Sequence, residues 1–505
     1  MNLAHNLETS AFFFPDKAAV SENDVTVSYA ELNDRANRIA TGLIKMGIEP
    51  GDHIAITHHN STDWIAFYFG VLKTGAIAIT LANALTGDEL KNLVTHARPR
   101  MVFSDEKKLA DLEGLRSSGS LEKIICKGGD LSIDKLMEMG SPNFKAVERD
   151  QRDTALVLYT GGTTGTPKGV MISHEHANFS SQCIAYCERS NPRDKALCFL
   201  PFNHVFAQFH IMNSTIFSAG SLELLPSFDL DRVLELISQS RITKFFAVPT
   251  VYVRLLTLPD LKEKLKGVTY CFSAGASMAM DIVKQWKEAT GITIAEAYGM
   301  TEGMPFTFNH FYSERHVVGS VGQAIHMVDI QIRDTLGNIL RPGEEGEICI
   351  RGRNVMKGYL DNPEATSAAF WSGGWLRTGD IGVVNDDGYV YIVDRLKDLI
   401  ITGGENVSPR EVEEILFTHP GVQECAIVGL PDKEWGERVV AFIIPKPGAN
   451  AVPDEFKAFL KASLSGHKVP KEYILKDEFP KSSVGKILKR ELKRQQMEAT
   501  NSSPL

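Results

Sequence analysis

The stretch Tyr159-Thr160-Gly161-Gly162-Thr163-Thr164-Gly165-Thr166-Pro167-Lys168-Gly169-Val170 decides how this sequence is interpreted. The apolar run Ala155-Leu156-Val157-Leu158-Tyr159 leads into it and predicts a buried strand. Glycine permits positive φ and close approach of the backbone, so successive N–H groups can converge on an anion. The threonine hydroxyls and Lys168 add donors and one positive charge. The stretch therefore predicts a strand followed by a polyphosphate-binding loop.

The glycine-rich loop has two other possible interpretations. A glycine-rich loop on its own is more often a simple Gly/Thr turn. A Walker loop requires G-x-x-x-x-G-K-[ST], and here Thr166 and Pro167 separate Gly165 from Lys168. The order of residues excludes the Walker loop, so the remaining motifs of the chain must decide between a turn and a phosphate site.

Composition limits the class of protein. The chain has 505 residues, 43% of them hydrophobic and 23% charged, which indicates a globular protein with at least two domains. A net charge of −9 argues against nucleic acid as a partner. The 7 cysteines contain no CxxC pair, so buried, reduced thiols are expected. With no secretory leader and no apolar run of membrane-spanning length, we expect a cytoplasmic protein without a transmembrane segment.

The order of patterns predicts an α/β fold. Short strands alternate with amphipathic helices from Thr26 to about Met101, whereas Asp105 to Glu148 is polar and predicts a surface excursion. Further strand-turn units follow, and the composition changes to a compact β/α pattern near Arg395 to Lys397. We therefore expect a large N-terminal domain of layered α/β subdomains and a small α+β C-terminal domain.

Several polar groups stand out beyond the loop. The segment Ile294 to Glu302 ends in an aromatic, a glycine, a hydroxyl and an acid, which suits a stacked purine and a metal-bound phosphate. Asp380 follows a Thr-Gly turn and offers two acceptor oxygens for a vicinal diol. The Gly275-Ala276 corner after a predicted strand is a candidate wall for a flat base. Each residue alone has an ordinary structural explanation: core packing for His204, a cap for Asp380, solvated charge for Arg395, Lys397 and Lys486.

Together these motifs resemble the adenylate-forming superfamily, which includes acyl- and aryl-CoA synthetases, peptide-synthetase adenylation domains and firefly luciferase. The resemblance runs from about Thr26 to Arg490, and its motifs occur in family order. It implies an N-terminal adenylation domain at 1–395, a mobile C-terminal domain at 396–505, a hinge near Lys397, and an active site at their interface.

The resemblance also implies roles for individual residues. Lys486, Thr301, Glu302 and His204 are the expected catalytic residues, with Lys486 between carboxylate and α-phosphate, His204 as a gate beside the acyl site, and Glu302 as the Mg²⁺ ligand. The expected nucleotide and CoA contacts are Thr160, Gly161, Gly162, Thr163, Thr164, Gly165, Lys168, Gly275, Ala276, Glu296, Ala297, Tyr298, Gly299, Asp380, Arg395, Lys397, Gly403 and Gly404. Two positions differ from many relatives, which carry serine at Gly161 and Asn or Gln at Glu296.

The implied activity is that of an AMP-forming carboxylic acid–CoA ligase using ATP, Mg²⁺ and coenzyme A. Alternatives are loading of a carrier-protein thiol, a luciferase-like oxidation, and nucleotide binding without catalysis. The expected partners are small molecules, and the chain is either a monomer or a homodimer. The candidate walls of the acid site favour a hydrophobic monocarboxylate, aliphatic or aryl: Phe202, His204, Phe206, Phe246, Tyr252, Ala276, Ala297 and Met304.

Overall fold

The computed structural model of the chain describes residues 1–116, 121–160, 168–276, 278–309, 316–449, 452–482 and 485–502. The α-helices within these ranges are α1 His5–Phe13, α2 Tyr29–Lys45, α3 Thr62–Thr74, α4 Gly87–Ala97, α5 Leu109–Glu113, α6 Ile133–Met139, α7 His174–Cys187, α8 Ser214–Phe217, α9 Leu230–Gln239, α10 Pro249–Leu256, α11 Leu261–Lys264, α12 Met280–Thr290, α13 Pro363–Ala368, α14 Pro409–Phe417, α15 Pro453–Lys461 and α16 Lys489–Ser502. A 3₁₀ turn covers Glu106–Lys108, and a π-helix covers Phe206–Asn213.

The strands within the same ranges are β1 Ala18–Glu22, β2 Val25–Ser28, β3 His53–Thr57, β4 Ile77–Thr80, β5 Met101–Ser104, β6 Lys123–Ile125, β7 Thr154–Thr160, β8 Lys168–Ser173, β9 Lys195–Cys198, β10 Ser221–Leu224, β11 Lys244–Ala247, β12 Tyr270–Ser273, β13 Ile294–Met300, β14 Gly303–Phe308, β15 Gln323–Ala324, β16 Val328–Arg333, β17 Gly346–Gly352, β18 Gly358–Tyr359, β19 Phe370–Trp371, β20 Trp375–Val384, β21 Val390–Arg395, β22 Ile400–Thr402, β23 Glu405–Val407, β24 Val422–Asp432, β25 Gly436–Pro445 and β26 Glu472–Leu475.

Three sheets build the larger part of the molecule. A seven-stranded sheet has the order β18-β8-β7-β4-β3-β5-β6, and a nine-stranded sheet has the order β15-β14-β13-β12-β11-β9-β10-β1-β2. The strands β7, β4, β3, β5 and β6 are parallel, so their carboxyl ends lie at one edge. A third, antiparallel sheet contains β16, β17, β19, β20 and β21. Ligands of open α/β sheets collect at such carboxyl edges.

The fourth sheet belongs to a smaller C-terminal domain. It contains β22 to β26 and packs with α14, α15 and α16 around two hydrophobic clusters of its own. Strand β21 ends at Arg395, and β22, the first strand of the last sheet, begins at Ile400. The predicted mixed α/β architecture with a large and a small domain is thus confirmed, while the boundary after Arg395 stays a prediction.

Local sequence signals explain how helices next to the site begin. Ser28 and Glu31 form a capping box at the start of α2, with the Glu31 amide 3.2 Å from Ser28 Oγ. At α7, which follows the predicted phosphate loop, Ser173 Oγ accepts from the His176 amide at 3.1 Å. This N-cap fixes the start of α7 at His174.

Two expectations from the sequence are wrong. The interval Asp105 to Glu148 contains α5, β6 and α6, and Leu112, Ile124 and Leu136 from it are buried. These elements are three to seven residues long, too short to show a clear period. The segment from Gln495 to Leu505 is polar, which predicts a frayed end, but α16 continues as far as Ser502.

Other general expectations are met. All seven cysteines are buried and free of disulfides. Over the parts of the chain that the structure describes, no helix combines the length and apolar character that crossing a bilayer requires.

Candidate functional site

The carboxylate of Asp380 joins two parts of the site. Asp380 lies in β20, and its Oδ2 accepts a hydrogen bond from Tyr298 Oη at 2.5 Å. Its Oδ1 lies 3.1 Å from Arg395 Nε. The Asp380 amide donates to Thr378 Oγ1, which itself donates to the Ile348 carbonyl, so the Thr-Gly-Asp turn is fixed from behind. Burial, and then the negative charge of Asp380, raise the pKa of the Tyr298 phenol. Three predicted site residues, Asp380, Tyr298 and Arg395, are thus in contact.

The hairpin of β13 and β14 presents the predicted Tyr-Gly-Met-Thr-Glu motif. Tyr298 pairs with Thr307, and Met300 pairs with Gly303 across a two-residue turn that contains Thr301 and Glu302. A β-carbon on Gly299 would lie 2.8 Å from Met304 Cβ. Glycine is therefore needed at this position for the tight hairpin.

Glu302 is held by a tyrosine that the sequence analysis did not single out. Tyr359 Oη donates to Glu302 Oε1 at 2.9 Å, and Lys168 Nζ lies 4.8 Å from the centre of the Tyr359 ring. Burial and the Glu302 charge raise the pKa of Tyr359. One phenol therefore connects the predicted metal ligand with the lysine of the phosphate loop. Its signal in the sequence is a Gly-Tyr pair after Met356-Lys357, a pattern that by itself indicates only a short strand and turn.

The ends of the predicted phosphate loop are fixed. Thr160 pairs with Lys168 as the last step of the β7–β8 ladder, and β18 adds Tyr359 beside Val170. The residues Gly161, Gly162, Thr163, Thr164 and Gly165 lie outside the described residues. Thr160 and Lys168 thus place the loop at the carboxyl end of β7.

The hairpin that carries Lys486 docks on the larger domain. The Gly485 amide donates to the Ser482 carbonyl, and the Ser482 amide donates to the Lys486 carbonyl, each at 2.8 Å. Gly485 has a φ of +78°, and a β-carbon there would lie 3.1 Å from Val248 Cγ2 and 3.5 Å from Thr250 Oγ1. Only glycine allows this turn to approach so closely.

Lys486 lies among other charges. Burial, followed by the positive charges of Arg395 and Lys397, lowers its pKa to about 8, against the opposite effect of Asp380 and Asp398. Such a cluster of cations favours an anionic ligand, because a bound anion would restore the balance of charge. The small domain thus brings Lys486 to the same place as Arg395 and Asp380.

His204 lies between Lys486 and an aromatic layer, which consists of the rings of Phe206, Phe246 and Phe272. Burial and the Lys486 charge lower the pKa of its imidazole to about 4, so the ring is neutral at pH 7. Its Nδ1 accepts from the Phe206 amide at 3.2 Å, which places the hydrogen on Nε2. Phe206 starts the π-helix. Its ring centroid lies 6.5 Å from that of Phe246 and 5.6 Å from that of Phe272. π-Helical turns occur frequently at functional sites.

A buried ionic group stands behind this aromatic layer. His210 stacks on Phe272 at 3.9 Å, and its Nε2 lies 2.5 Å from Glu188 Oε1. Lys244 Nζ reaches Glu188 Oε2 at 2.9 Å. These three residues are separated in sequence and form no motif, so sequence analysis could not find them. The Glu188 carboxylate and the Lys244 ammonium form an ion pair, so neither charge is left without a counter-charge behind the layer.

One predicted wall residue is misplaced. Tyr252 donates to the Phe272 carbonyl at 2.9 Å and packs edge-on against Phe245 and Trp286. Phe245 and Phe246 are neighbours in β11 and point to opposite faces of the sheet. Tyr252 therefore lies on the face away from Phe206, whereas Phe246 lies on the same face as Phe206, and Phe202 packs nearby on Trp64.

Glu296 is a buried carboxyl without a hydrogen-bond partner for Oε2 among the described residues. Burial raises its pKa to about 8; Arg410 partly opposes this and Glu414 adds to it. At pH 7 Glu296 is therefore the neutral acid, with one donor and one acceptor oxygen. Like an Asn or Gln side chain, it can both donate and accept a hydrogen bond.

The remaining predicted contacts surround this centre. Gly275 and Ala276 are exposed after β12, and a β-carbon on Gly275 would lie 3.5 Å from Val248 Cγ1, so Val248 lies between that corner and the Lys486 hairpin. Ala297 is partly exposed opposite Phe308. These positions form an open margin next to Tyr298.

The expected hinge and thiol-site residues lie farther along the chain. Lys397 is in a turn that follows β21; burial and Arg395 lower its pKa. Gly403 and Gly404 have φ of +61° and +85°, and a β-carbon on Gly403 would lie 2.9 Å from the Trp435 ring. Both glycines are exposed in the turn between β22 and β23 of the small domain.

Comparison with known families gives two matches. The model of the AMP-binding enzyme family matches residues 7–360, and that of the AMP-binding enzyme C-terminal domain matches residues 411–486.

Individual relatives match almost end to end. The chain is 32% identical to a long-chain-fatty-acid–CoA ligase of Bacillus subtilis, over 97% of this chain and 94% of the relative. It is 33% identical to a feruloyl-CoA synthase of an Amycolatopsis species, over 95% and 96%. Among solved structures, ATP-bound MatB from Rhodopseudomonas palustris superposes with a TM-score of 0.92 at 33% identity, covering 99% of this chain and all of the other.

The state of Glu296 generates a prediction for nucleotide binding. Since the neutral carboxyl can both donate and accept, ATP affinity should fall as the pH rises through about 8 and Glu296 ionises. Glu296→Gln should bind ATP like the parent chain at pH 7 and more tightly than it at pH 9. Calorimetric titration with ATP at both pH values gives the ratio of the variant's affinity to that of the parent chain. Other titrating groups are present in both proteins, so their contributions cancel in this ratio. A ratio that does not change with pH would contradict this role.

Proposed function

The chain belongs to the AMP-binding enzyme family as an AMP-forming acid–CoA ligase, and from that premise we propose that it activates a hydrophobic monocarboxylic acid, aliphatic or aryl. The observation that carries the proposal is the aromatic layer of Phe206, Phe246 and Phe272 beside His204. The charges behind this layer pair with one another. The relatives support both acid classes, since one acts on long-chain fatty acids and another forms feruloyl-CoA.

The nucleotide would bind around Asp380. Tyr298 would pack on the adenine, with Gly275, Ala276, Ala297 and Gly299 at its edges and Glu296 at its polar edge. A carboxylate has about four lone-pair sites, so Asp380 can accept from ribose hydroxyls while it keeps Tyr298 and Arg395. The phosphates would lie toward the loop from Thr160 to Lys168, and Thr301 would reach the α-phosphate.

Magnesium fits the residues at the other end of the hairpin. Glu302 and Thr301 offer oxygen atoms, the ligands that Mg²⁺ prefers, and Tyr359 orients the Glu302 carboxylate. Bound with the phosphates, the ion would supply positive charge between them. Glu302 would hold it, and the Tyr359 hydroxyl would keep the carboxylate in place.

The first half-reaction joins two anions. The carboxylate oxygen attacks the α-phosphorus, the bond to the β-phosphate oxygen breaks, and pyrophosphate leaves. Repulsion between the carboxylate and the triphosphate must be offset by fixed positive charge. Lys486, supported by Arg395 and Lys168, would supply it. Binding of the anions raises the lowered pKa of Lys486 and keeps the amine protonated.

The second half-reaction requires the same centre to face a thiol. The CoA sulfur attacks the acyl carbonyl and AMP leaves. We propose that the small domain rotates about Lys397, which withdraws Lys486 and brings Gly403 and Gly404 to the pantetheine path. Nothing among the relatives favours a carrier-protein acceptor. A cytoplasmic location and a monomeric or homodimeric state remain our predictions.

The acid specificity is tested by pyrophosphate release across a panel of acids. Medium-to-long aliphatic or aryl acids should give values of kcat/KM at least about 100-fold above acetate, because each buried methylene contributes ~0.8 kcal/mol. Amino acids and dicarboxylates should react poorly. Preference for acetate or for a dicarboxylate would overturn the proposed substrate class.

Lys486 should matter for only one half-reaction. Lys486→Ala should slow acyl-AMP formation by roughly 10²–10³-fold, the usual loss when one charge-stabilising donor is removed. Thioester formation from supplied acyl-AMP should be nearly unchanged. Lys481→Ala is the matched control, since Lys481 is on the same hairpin and pairs with Glu424 at 2.8 Å. Normal acyl-AMP formation by Lys486→Ala would exclude the role.

The hinge can be tested with a single proline. The amides of Leu396, Asp398 and Leu399 donate backbone hydrogen bonds, and that of Lys397 is not among these donors. Lys397→Pro should therefore restrict φ without removing one of these bonds. Acyl-AMP formation should continue while CoA transfer falls by about 10-fold or more, as expected when a domain rotation is blocked. Lys397→Ala should keep both activities, and equal loss of both half-reactions in the proline variant would count against a hinge.

A further inference from the structure

Three potential metal ligands meet at the carboxyl edge of the seven-stranded sheet. His58 and His59 directly follow β3, and Asp105 directly follows β5. The two strands are parallel neighbours with Thr57 opposite Ser104, so the chain brings these side chains together by register. A His58 nitrogen, a His59 nitrogen and an Asp105 oxygen all lie within 4.8 Å of one another.

The distances suit a small coordination site. His58 Nε2 lies 3.4 Å and His59 Nδ1 lies 2.6 Å from Asp105 Oδ1. An ion with tetrahedral bonds of about 2.0–2.1 Å would separate its ligand atoms by roughly 3.3–3.4 Å. The His58–Asp105 distance already matches. The His59–Asp105 distance would have to lengthen by about 0.7–0.8 Å to reach the same separation. The His59 side chain is 44% exposed, which leaves it room to move outward.

The hydrogen bond behind His58 fixes which nitrogen faces the site. Its Nδ1 lies 2.9 Å from the His59 carbonyl oxygen, which can only accept, so Nδ1 carries the hydrogen. In the neutral ring Nε2 then holds a lone pair directed at a carboxylate oxygen. This lone pair and the carboxylate oxygen repel each other unless a metal ion or a proton lies between them. Metal-binding histidines typically donate their second nitrogen to a carbonyl in this way.

The surroundings leave space for further ligands. A cavity of about 550 Å³ is lined by His59, Asp105 and Asn83, and Asn83 Oδ1 has no hydrogen-bond partner among the described residues. A second cavity, of about 390 Å³, lies against His58 and His59. Asn83 follows β4, the other neighbour of β3, so it approaches the same edge. Its oxygen, or water, can complete the coordination.

We propose that His58, His59 and Asp105 bind a divalent transition-metal ion, best matched by Zn²⁺. Two imidazole nitrogens and one carboxylate suit zinc and its borderline neighbours, whereas magnesium prefers oxygen ligands. This site is thus chemically different from the magnesium ligands proposed at Glu302. It lies on β3 and β5, apart from β7, the strand that leads into the phosphate loop.

The ion would hold a turn that contacts the acid site. Asn60, next in the chain, donates to the Leu200 carbonyl at 2.7 Å and accepts from the Phe202 amide at 3.0 Å. These two residues lead directly to His204. A bound ion therefore stabilises the support of the His204 segment without touching the reacting groups.

The test is metal binding by the full chain after chelator treatment and dialysis. Titration with Co²⁺, followed by its visible absorption, and competition with Zn²⁺ should show one saturable site. His59→Asn and Asp105→Asn should each weaken Co²⁺ binding at least about 10-fold, the lower range for losing one metal-site partner. Zn²⁺ should also raise the melting temperature of the parent chain and not that of the two variants.

His5→Asn is the matched control. His5 Nδ1 lies 2.9 Å from Glu8 Oε2, and His5 Nε2 lies 3.4 Å from Glu148 Oε1. The substitution therefore removes a histidine from a different histidine–carboxylate cluster, and the Co²⁺ affinity should stay unchanged. Circular dichroism shows whether each variant is folded. Absence of a saturable site in the parent chain, or equal affinity in His59→Asn, would mean that the three side chains share only a proton, and would overturn the proposal.

Discussion

The contact of Tyr298 and Arg395 with one carboxylate, that of Asp380, holds the candidate site together. Asp380 and Arg395 are ladder partners on β20 and β21 of the antiparallel sheet, whereas Tyr298 lies on β13 of the nine-stranded sheet. Arg395 also ends the last strand before the small domain. Two sheets thus meet at the two oxygen atoms of one carboxylate. Because Asp380 is buried, these bonds are stronger than they would be in water.

Around this carboxylate the charges are arranged for ligands that bring negative charge. Burial, and then the positive charges of Arg395 and Lys397, lower the pKa of Lys486. Burial raises the pKa of Glu296, which keeps this carboxyl protonated at pH 7. The site therefore presents a neutral acid toward the expected base and a cationic group toward the expected phosphates. Burial alone accounts for the direction of both shifts.

The sequence predicted residues that lie within motifs and missed those that meet only in space. Tyr298, Asp380, Arg395 and Lys486 were found because each has a recognisable local pattern, whereas Tyr359 touches Glu302 across 57 positions of chain. Tyr252 was named as a wall residue, but it packs on Phe245, which points to the face opposite Phe246. The short elements between 105 and 148 were missed because three to seven residues cannot show a period.

The approach of the Lys486 hairpin to Val248 and Thr250 has a consequence for the order of events. Gly485 lies against these two residues, and the hairpin carries a lysine toward two other cations. Repulsion among the cations weakens the contact, and a bound anion between them would strengthen it. Under the proposed reaction, pyrophosphate removes its own negative charges when it departs, and with them the attraction that held the small domain. Release of the first product would thus be the trigger for the second step, and the chain would need no separate signal to change its shape.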